Sequence, residues 1–490
     1  MSQFLFHLDP DLPESLQRQL REQIARAILD GHLPLDEALP SSRKLAKELH
    51  VARNTVMLAY EQLLDDGYLI AKKRSGYFVN PEILEGRAEK PVRLNDIDAE
   101  RLPWEDLLTM HPSRQSTINK PSDWQRYDFP FIYGQIDPEL FPTQHWRECS
   151  RDSMSVPAIR SWAVDHLNDD DPLLIKQIHQ RLLPRRGVWA NPEEILVTVG
   201  AQQALWMTCM LLLKAGRRFG MENPGYVDMY NIASTFTDDI RLLPVDDRGM
   251  RLEADINGCQ LLYVTPSHQA PTTVTMPLER RRELLDMAEN DNFLIIEDDY
   301  ESETNYLDNP TPALKSLDRH NRVIYVGSLS KTLAPGLRLG YMVGPPALIR
   351  EARALRRLML RHPPTNNQRA VALFLDRGYH DALLRQIHLV FHSRWQQLGE
   401  ALARHMPHAS VPSTYGGSSF WVKGPDGLDC HKLQRLAAEQ SILIECGDIH
   451  FFDTPRLEYF RLGFSAIPES RIEAGIERLA TLIPQAIPPS

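Results

Sequence analysis

Apolar residues recur at four-residue spacing along the first part of the chain. Leu16, Leu20, Ile24 and Ile28 fall on one face of a helix over 15–29, the period of an amphipathic helix. Gly31 and Pro34 end it. A second helix is predicted from about Ser42 to Leu49, with Ser41 as N-cap and Leu45, Ala46 and Leu49 inward. A third runs from Arg53 to Asp65, with Val56, Ala59, Tyr60 and Leu63 on one side and Gly67 as its stop. Two short strands follow, 68–71 and 76–79, joined by a basic turn of Lys72, Lys73, Arg74 and Ser75. Helix, helix, turn, helix, hairpin is the order of a winged helix-turn-helix.

Beyond residue 80 the pattern changes twice. Residues 81–126 form a polar connector with scattered Pro, Arg and Glu and some apolar residues, enough to dock for part of its length. From 127 to 490, buried apolar runs alternate with amphipathic segments. Strands are predicted at 195–199, 218–222, 240–245, 261–264, 293–297, 323–326 and 341–343, and helices at 202–213 and 279–288. This is the pattern of an α/β domain with a mainly parallel sheet, whose ligands sit beyond the carboxyl ends of the strands. The expected organisation is therefore 1–80, a linker over 81–126, and a large domain over 127–490.

Composition narrows this picture. With 490 residues, 42% hydrophobic and 24% charged, the chain has ample material for a sizeable core. It has no apolar run of transmembrane length. The N-terminus lacks the basic start and apolar stretch of a signal peptide, so a cytoplasmic location is expected. The five cysteines, Cys149, Cys209, Cys259, Cys430 and Cys446, are scattered and form no Cys-x-x-Cys pair. That argues against a disulfide framework and a Cys-ligated zinc, and no metal is expected. The net charge of −10 argues against a general affinity for nucleic acid. A small reader remains compatible, because only its contact face must be basic.

Residues 41–79 carry seven cations against four anions, a local net charge of +3. Arg43 and Lys44 open the second helix; Arg53, Asn54 and Thr55 open the third. Those N-terminal positions are the ones a recognition helix turns towards base edges and phosphates. Charge alone suits a solvated interaction surface equally well. The segment LPSSRKLAKELHVARNTVMLAYEQLLDDGYLIAKKRSGYFV, however, resembles the winged helix-turn-helix of the GntR family. The resemblance implies double-stranded operator DNA as partner, contacted by Arg43, Arg53 and Thr55 with Asn54 beside them, and Gly76 shaping the wing tip. One departure is Ala52, where the family usually has Ser or Thr, so a capping and phosphate-binding hydroxyl is missing.

Three motifs of the large domain carry chemistry. In SLSKTLAPGLRLGY (328–341), Lys331 follows a buried strand, with Ser328 before it and Arg338 seven residues on. A lysine there forms a Schiff base with an aldehyde once it is desolvated enough to lose its proton, while Ser328 and Arg338 can hold a phosphate. In IIEDDY (295–300), a carboxylate at a strand end can pair with a protonated pyridine nitrogen, and Tyr300 can bond a phenolic oxygen on the same ring. In VTVGAQQAL (197–205), Gly200 permits a tight turn into a helix whose N–H groups face an anion. Singly, each has a bland alternative: a surface lysine, a solvated acidic loop, an ordinary turn. Together, in this order and each after a strand, they suit pyridoxal 5′-phosphate (PLP).

Residues 127–470 resemble the fold-type I, aspartate-aminotransferase-like domain of PLP enzymes, and nearly the whole chain is similar to the MocR/GabR-type regulators. PGY (224–226), TPSHQ (265–269), EDDY, YVGSLSKTLAPGLRLGY and FRLGF (460–464) carry the match. The resemblance implies that Lys331 holds PLP as an internal aldimine, Asp298 pairs with the pyridinium nitrogen, Tyr300 bonds the ring oxygen and Tyr226 stacks on the ring. Backbone groups of Ala201 and Gln202, with Ser328 and Arg338, would hold the phosphate. Arg461 would grip a ligand carboxylate. The stretch 270–273 (APTT) departs from the aromatic residue and Pro-Thr-Gly turn common in relatives, and this loop borders the ligand. Asp228 is expected to face a positive group on the effector. The implied function is a bacterial, homodimeric transcriptional regulator that senses an amino compound through external aldimine formation at Lys331. A catalytically active aminotransferase with an appended DNA-binding domain stands as the alternative.

Overall fold

The computed structural model describes residues 6–73, 75–84, 102–165, 169–252, 256–305, 311–411 and 416–488. Arg74 of the wing turn and residues 85–101 of the connector lie outside them. The chain divides into two compact units, Met1–Thr109 and Met110–Ser490.

In the first unit, helices α1 (Leu16–Leu29), α2 (Ser42–Glu48) and α3 (Arg53–Asp65) precede strands β1 (Leu69–Lys72) and β2 (Gly76–Val79). The predicted apolar faces converge: Leu20, Ile24, Ile28, Leu45, Val56, Tyr60 and Leu63 form one core with Leu69 and Val79. Each such side chain contributes about 1.5–3 kcal/mol by leaving water. Tyr60 sits wholly inside because its hydroxyl finds a partner, donating to the Pro40 carbonyl at 2.8 Å. The Ser41 hydroxyl caps α2 by accepting from the Lys44 N–H, whereas Ala52 gives α3 no side-chain cap. The hairpin is antiparallel, Leu69 opposite Val79 and Lys72 opposite Gly76. Its turn requires the left-handed backbone of Gly76 (φ 108°).

The second unit is built on an eight-stranded sheet. Its strands are β3 (Ile195–Thr198), β4 (Arg218–Asn223), β5 (Ile240–Asp246), β6 (Gly249–Met250), β7 (Cys259–Val264), β8 (Leu294–Asp299), β9 (Val323–Ser328) and β10 (Gly340–Val343). Their spatial order is β3-β10-β9-β8-β7-β4-β5-β6. The neighbours from β9 through β5 are parallel; β10 is antiparallel to both β9 and β3, and β6 to β5. The strands read as continuous apolar runs because both faces are covered. Ile296, Ile324, Val326 and Met342 pack under helix α4 (Gly200–Leu212), while Ile295 and Val323 turn to the opposite side with Leu284 and Ala288. A smaller antiparallel sheet, absent from the sequence reading, is formed by β11 (Ser419–Lys423), β12 (Glu445–Cys446) and β13 (Tyr459–Gly463), with β13 in the middle.

Part of the connector docks, as its composition led one to expect: residues 110–126 belong to the large unit, where Gln115 donates to the Asn231 carbonyl and Asn231 donates to that of Ser116 at 2.8 Å. The apolar Leu102, Trp104, Leu107 and Leu108 are exposed, so these contacts are made by polar side chains and backbone carbonyls further along. No helix among the described residues is long and apolar enough to cross a membrane.

Candidate functional site

The carboxyl ends of β3, β8 and β9 open onto a cavity of about 290 Å³. Every large-domain residue singled out in the sequence lines it: Ala201, Gln202, Tyr226, Asp228, Asp298, Tyr300, Ser328, Lys331, Arg338 and Arg461.

Lys331 lies three residues past the end of β9, and its Nζ donates to the Tyr133 hydroxyl at 3.1 Å. The same nitrogen stands 4.3 Å from the Tyr133 ring centre and 5.6 Å from that of Tyr300. Loss of water pulls the Lys331 amine below the ordinary lysine range. Glu301 opposes the shift and the nearby Arg461 charge adds to it. The amine is thus poised towards the neutral, nucleophilic form.

The acidic triplet is sorted by strand alternation. Glu297 accepts the N–H groups of Leu314 and Lys315 at 2.6 and 2.7 Å. Asp299 binds Arg186 Nε at 2.7 Å and the Tyr325 hydroxyl at 2.8 Å. Asp298 alone turns into the cavity. Its Oδ2 accepts from Tyr263 at 2.9 Å, and its Oδ1 is buried without a hydrogen-bond partner. Burial pushes its carboxyl up to about 7, against the pull of Tyr263 and Lys331. A buried oxygen with no donor is costly, and a protonated ring nitrogen in the cavity could supply that donor.

At the opposite end, Gly200 (φ 73°) starts α4. A side chain there would meet the Arg338 guanidinium at 3.2 Å. Arg338 is itself in the left-handed region (φ 49°, ψ 50°), which aims it at the helix start. Helix N–H groups, an arginine and the Ser328 hydroxyl make an anion cradle. A desolvated amine, a carboxylate with one unpartnered oxygen and an anion cradle together fit PLP.

Tyr226 donates to Asp228 Oδ2 at 3.1 Å, and Gln202 Nε2 donates to the same oxygen at 3.3 Å. Asp228 therefore holds two cavity-lining side chains in place. Arg461, in the middle of β13, is opposite Glu445 of β12. The pair is buried, with Nε at 3.0 Å and Nη2 at 2.5 Å from Glu445 Oε2. Nη1 takes no part in that pairing. The guanidinium also lies 3.9 Å from the Tyr133 ring centre.

Sequence reasoning missed Tyr133, Tyr263, Glu445, His450 and Lys120. Lys120 Nζ donates to the Tyr133 carbonyl and lies 3.6 Å from Glu445. Burial lowers its amine to about 8. Neither Tyr133 nor Lys120 stands in a motif. The one available signal was the apolar run 129–133 ending in Gly134, where a side chain would meet both lysine amines at 3.2 and 3.3 Å. In the loop 270–273, Ala270 lines the cavity as expected, while Thr272 turns to Gln269 Oε1 at 2.6 Å.

In the first unit, Arg43, Arg53 and Asn54 are exposed at the starts of α2 and α3, and Thr55 is half-buried. Arg53 Nε approaches Ser42 Oγ at 3.4 Å, which ties the two helix starts together.

Comparison with known proteins accounts for both units. Residues 16–79 match the family of bacterial regulatory proteins, gntR family, and residues 167–479 match aminotransferase class I and II. The chain is 41% identical over 479 residues to the HTH-type transcriptional regulator TauR of Rhodobacter capsulatus, covering 97% of this chain and 98% of the relative. It is 30% identical over 481 residues to the probable rhizopine catabolism regulatory protein MocR of Rhizobium meliloti, covering 96% and 94%. A solved kynurenine aminotransferase of Pyrococcus horikoshii superposes with a TM-score of 0.70 at 27% identity, covering 80% of this chain and 99% of that one. The chain belongs to the MocR-type regulators, HTH-type transcriptional regulators that join a GntR DNA-binding domain to a class I and II aminotransferase domain.

Proposed function

We propose that this regulator senses a small amino compound at Lys331 and passes the event to its DNA-binding unit. The observation that carries the reading is the desolvated Lys331 amine, held at one end of a cavity that supplies a carboxylate with one unpartnered oxygen and an anion cradle. Its cofactor is pyridoxal 5′-phosphate, which when bound supplies an aldehyde carbon that the lysine or an incoming amine can hold covalently.

The chain's own residues divide the work. Lys331 provides the covalent anchor. Asp298 keeps a proton on the ring nitrogen, and Tyr300 bonds the ring oxygen. Tyr226 covers the ring face, held by Asp228. The N–H groups of Ala201 and Gln202, with Ser328 and Arg338, bind the phosphate. Tyr133 holds a proton within reach of the Lys331 nitrogen. Arg461 offers its Nη1 edge to a carboxylate or similar anion on the ligand, while Glu445 fixes its orientation. Asp228 faces the ligand's positive end with the carboxylate edge not taken by Tyr226 and Gln202. On DNA, Arg43, Arg53, Asn54 and Thr55 contact the operator, and Gly76 shapes the wing. A homodimer would present two readers to paired half-sites. To swing a two-state equilibrium almost completely, the ligand must favour one state by about 5.5 kcal/mol.

An absorbance titration of the PLP-loaded protein with amines, amino acids and sulfonates tests the reading. A change in the cofactor band by one ligand class, accompanied by altered operator affinity, supports it. A band that responds while operator affinity stays constant for every ligand sinks it. A second reading, turnover as an aminotransferase, draws on the Tyr133 hydroxyl beside a lowered lysine amine. Its measurement is amino-group transfer to a keto acid.

A further inference from the structure

Away from the cavity, four potential metal ligands come together from two segments. Cys430 and His431 open helix α5 (Cys430–Glu439), Cys446 ends β12, and Asp448 starts the turn that follows. One ligand atom from each lies within 4.8 Å of all the others, the one such grouping of three or more His, Cys, Asp or Glu among the described residues. Cys430 Sγ donates to Asp448 Oδ1 at 3.7 Å, and His431 Nε2 lies 2.9 Å from Asp448 Oδ2. Both cysteines are buried, while the His431 side chain is 47% exposed and Asp448 is 16% exposed. An ion therefore has an open approach on the imidazole side and a closed, sulfur-lined floor.

Zinc bonded at about 2.3 Å to sulfur and about 2.0–2.1 Å to nitrogen needs tetrahedral ligand separations of roughly 3.5–3.8 Å. The observed spread reaches that arrangement by movements of about 1 Å. Two thiolates, an imidazole and a carboxylate suit zinc rather than magnesium or calcium, which take oxygen donors. The geometry points to a site for one zinc ion per chain. The ion would clamp the start of α5 to residues 446–448. The clamped segment runs on directly from Glu445, which orients Arg461, and into His450, which lines the ligand cavity. The scattered cysteine spacing concealed the site, because the ligands form two local pairs, 430–431 and 446–448, joined only by the packing of α5 against the small sheet.

The test uses the full chain, reduced and stripped with a chelator, then titrated with Zn²⁺ alone and with Co²⁺ as a coloured substitute. One ion per chain is expected, with a thiolate-to-cobalt charge-transfer band and a rise in Tm on adding Zn²⁺. His431→Ala, at an exposed position that should not perturb folding, is expected to weaken zinc affinity about 10-fold or more, the least that losing a ligand should cost when outer-shell losses cost 10–100-fold. Cys446→Ser is expected to abolish the charge-transfer band. The proposal is overturned if no saturable zinc binds, if cobalt binds without a thiolate band, or if His431→Ala binds zinc as tightly as the parent. Recovery of Cys430 and Cys446 as a disulfide from zinc-saturated protein also overturns it.

Discussion

The Lys331 amine donates to the hydroxyl of Tyr133 at 3.1 Å, across 198 positions of sequence. The Arg461 guanidinium also lies 3.9 Å from the tyrosine ring centre, which restrains the ring and with it the hydroxyl. A group so placed can give or take a proton as a bond to that nitrogen forms or breaks. Tyr133→Phe is expected to fold and to bind PLP, but to exchange ligand amine about 10²-fold more slowly. Stopped-flow absorbance measures this. An unchanged rate would assign Tyr133 to packing alone.

Lys331→Ala removes the covalent anchor and leaves the first unit untouched. The variant is expected to lack the protein-bound cofactor band and any ligand response, yet to retain operator binding in a gel-shift assay. An intact band would move the anchor to another amine.

Gly340 crosses directly behind the anion cradle. A Cβ there would stand 2.7 Å from the Ala201 nitrogen and 2.7 Å from the Gly200 carbonyl carbon. Both are backbone atoms that cannot step aside without moving the helix start. Overpacking costs about 1–3 kcal/mol, so Gly340→Ala is expected to weaken PLP binding about 10-fold. Equilibrium titration with PLP reads this directly.

Asp298 predicts a pH dependence of the cofactor-free protein. Its carboxyl is raised to about 7 by burial, from about 3.9 when unfolded. A group raised on folding stabilises fully below its unfolded value, and that contribution is lost as pH climbs through the folded value. From this group, cofactor-free protein loses stability between about pH 4 and 7. Asp298→Asn should flatten that part of the profile and weaken PLP binding. Thermal unfolding across this range checks the first claim, and an unaltered profile would contradict it.

Ala52 leaves α3 without a side-chain cap. Ala52→Ser supplies an oxygen for an N–H in the first turn and is expected to stabilise the unit by about 1 kcal/mol. Slower amide exchange at the start of α3, with tighter operator binding, is the expected result.

Much of this was legible in the chain itself. The reader's helices and the large sheet's strands are governed by periodicities over a few residues, and α3 runs from Arg53 to Asp65 as its apolar spacing requires. The placement of Lys331, Asp298 and Arg338 in the cavity was legible because each lies at or between strands that the pattern marks. Tyr133, Glu445 and Lys120 stand in no such context, and the small sheet escaped because β12 has two residues.

Local sequence thus determined which elements form and which chemistry their ends carry, since side-chain period and turn residues act over one or two turns of chain. Tertiary structure alone decided which groups meet. It set Tyr133 against Lys331 and locked Arg461 to Glu445. Those partners are separated along the chain and joined by strand pairing and core packing, whose outcome depends on the whole fold rather than on any segment.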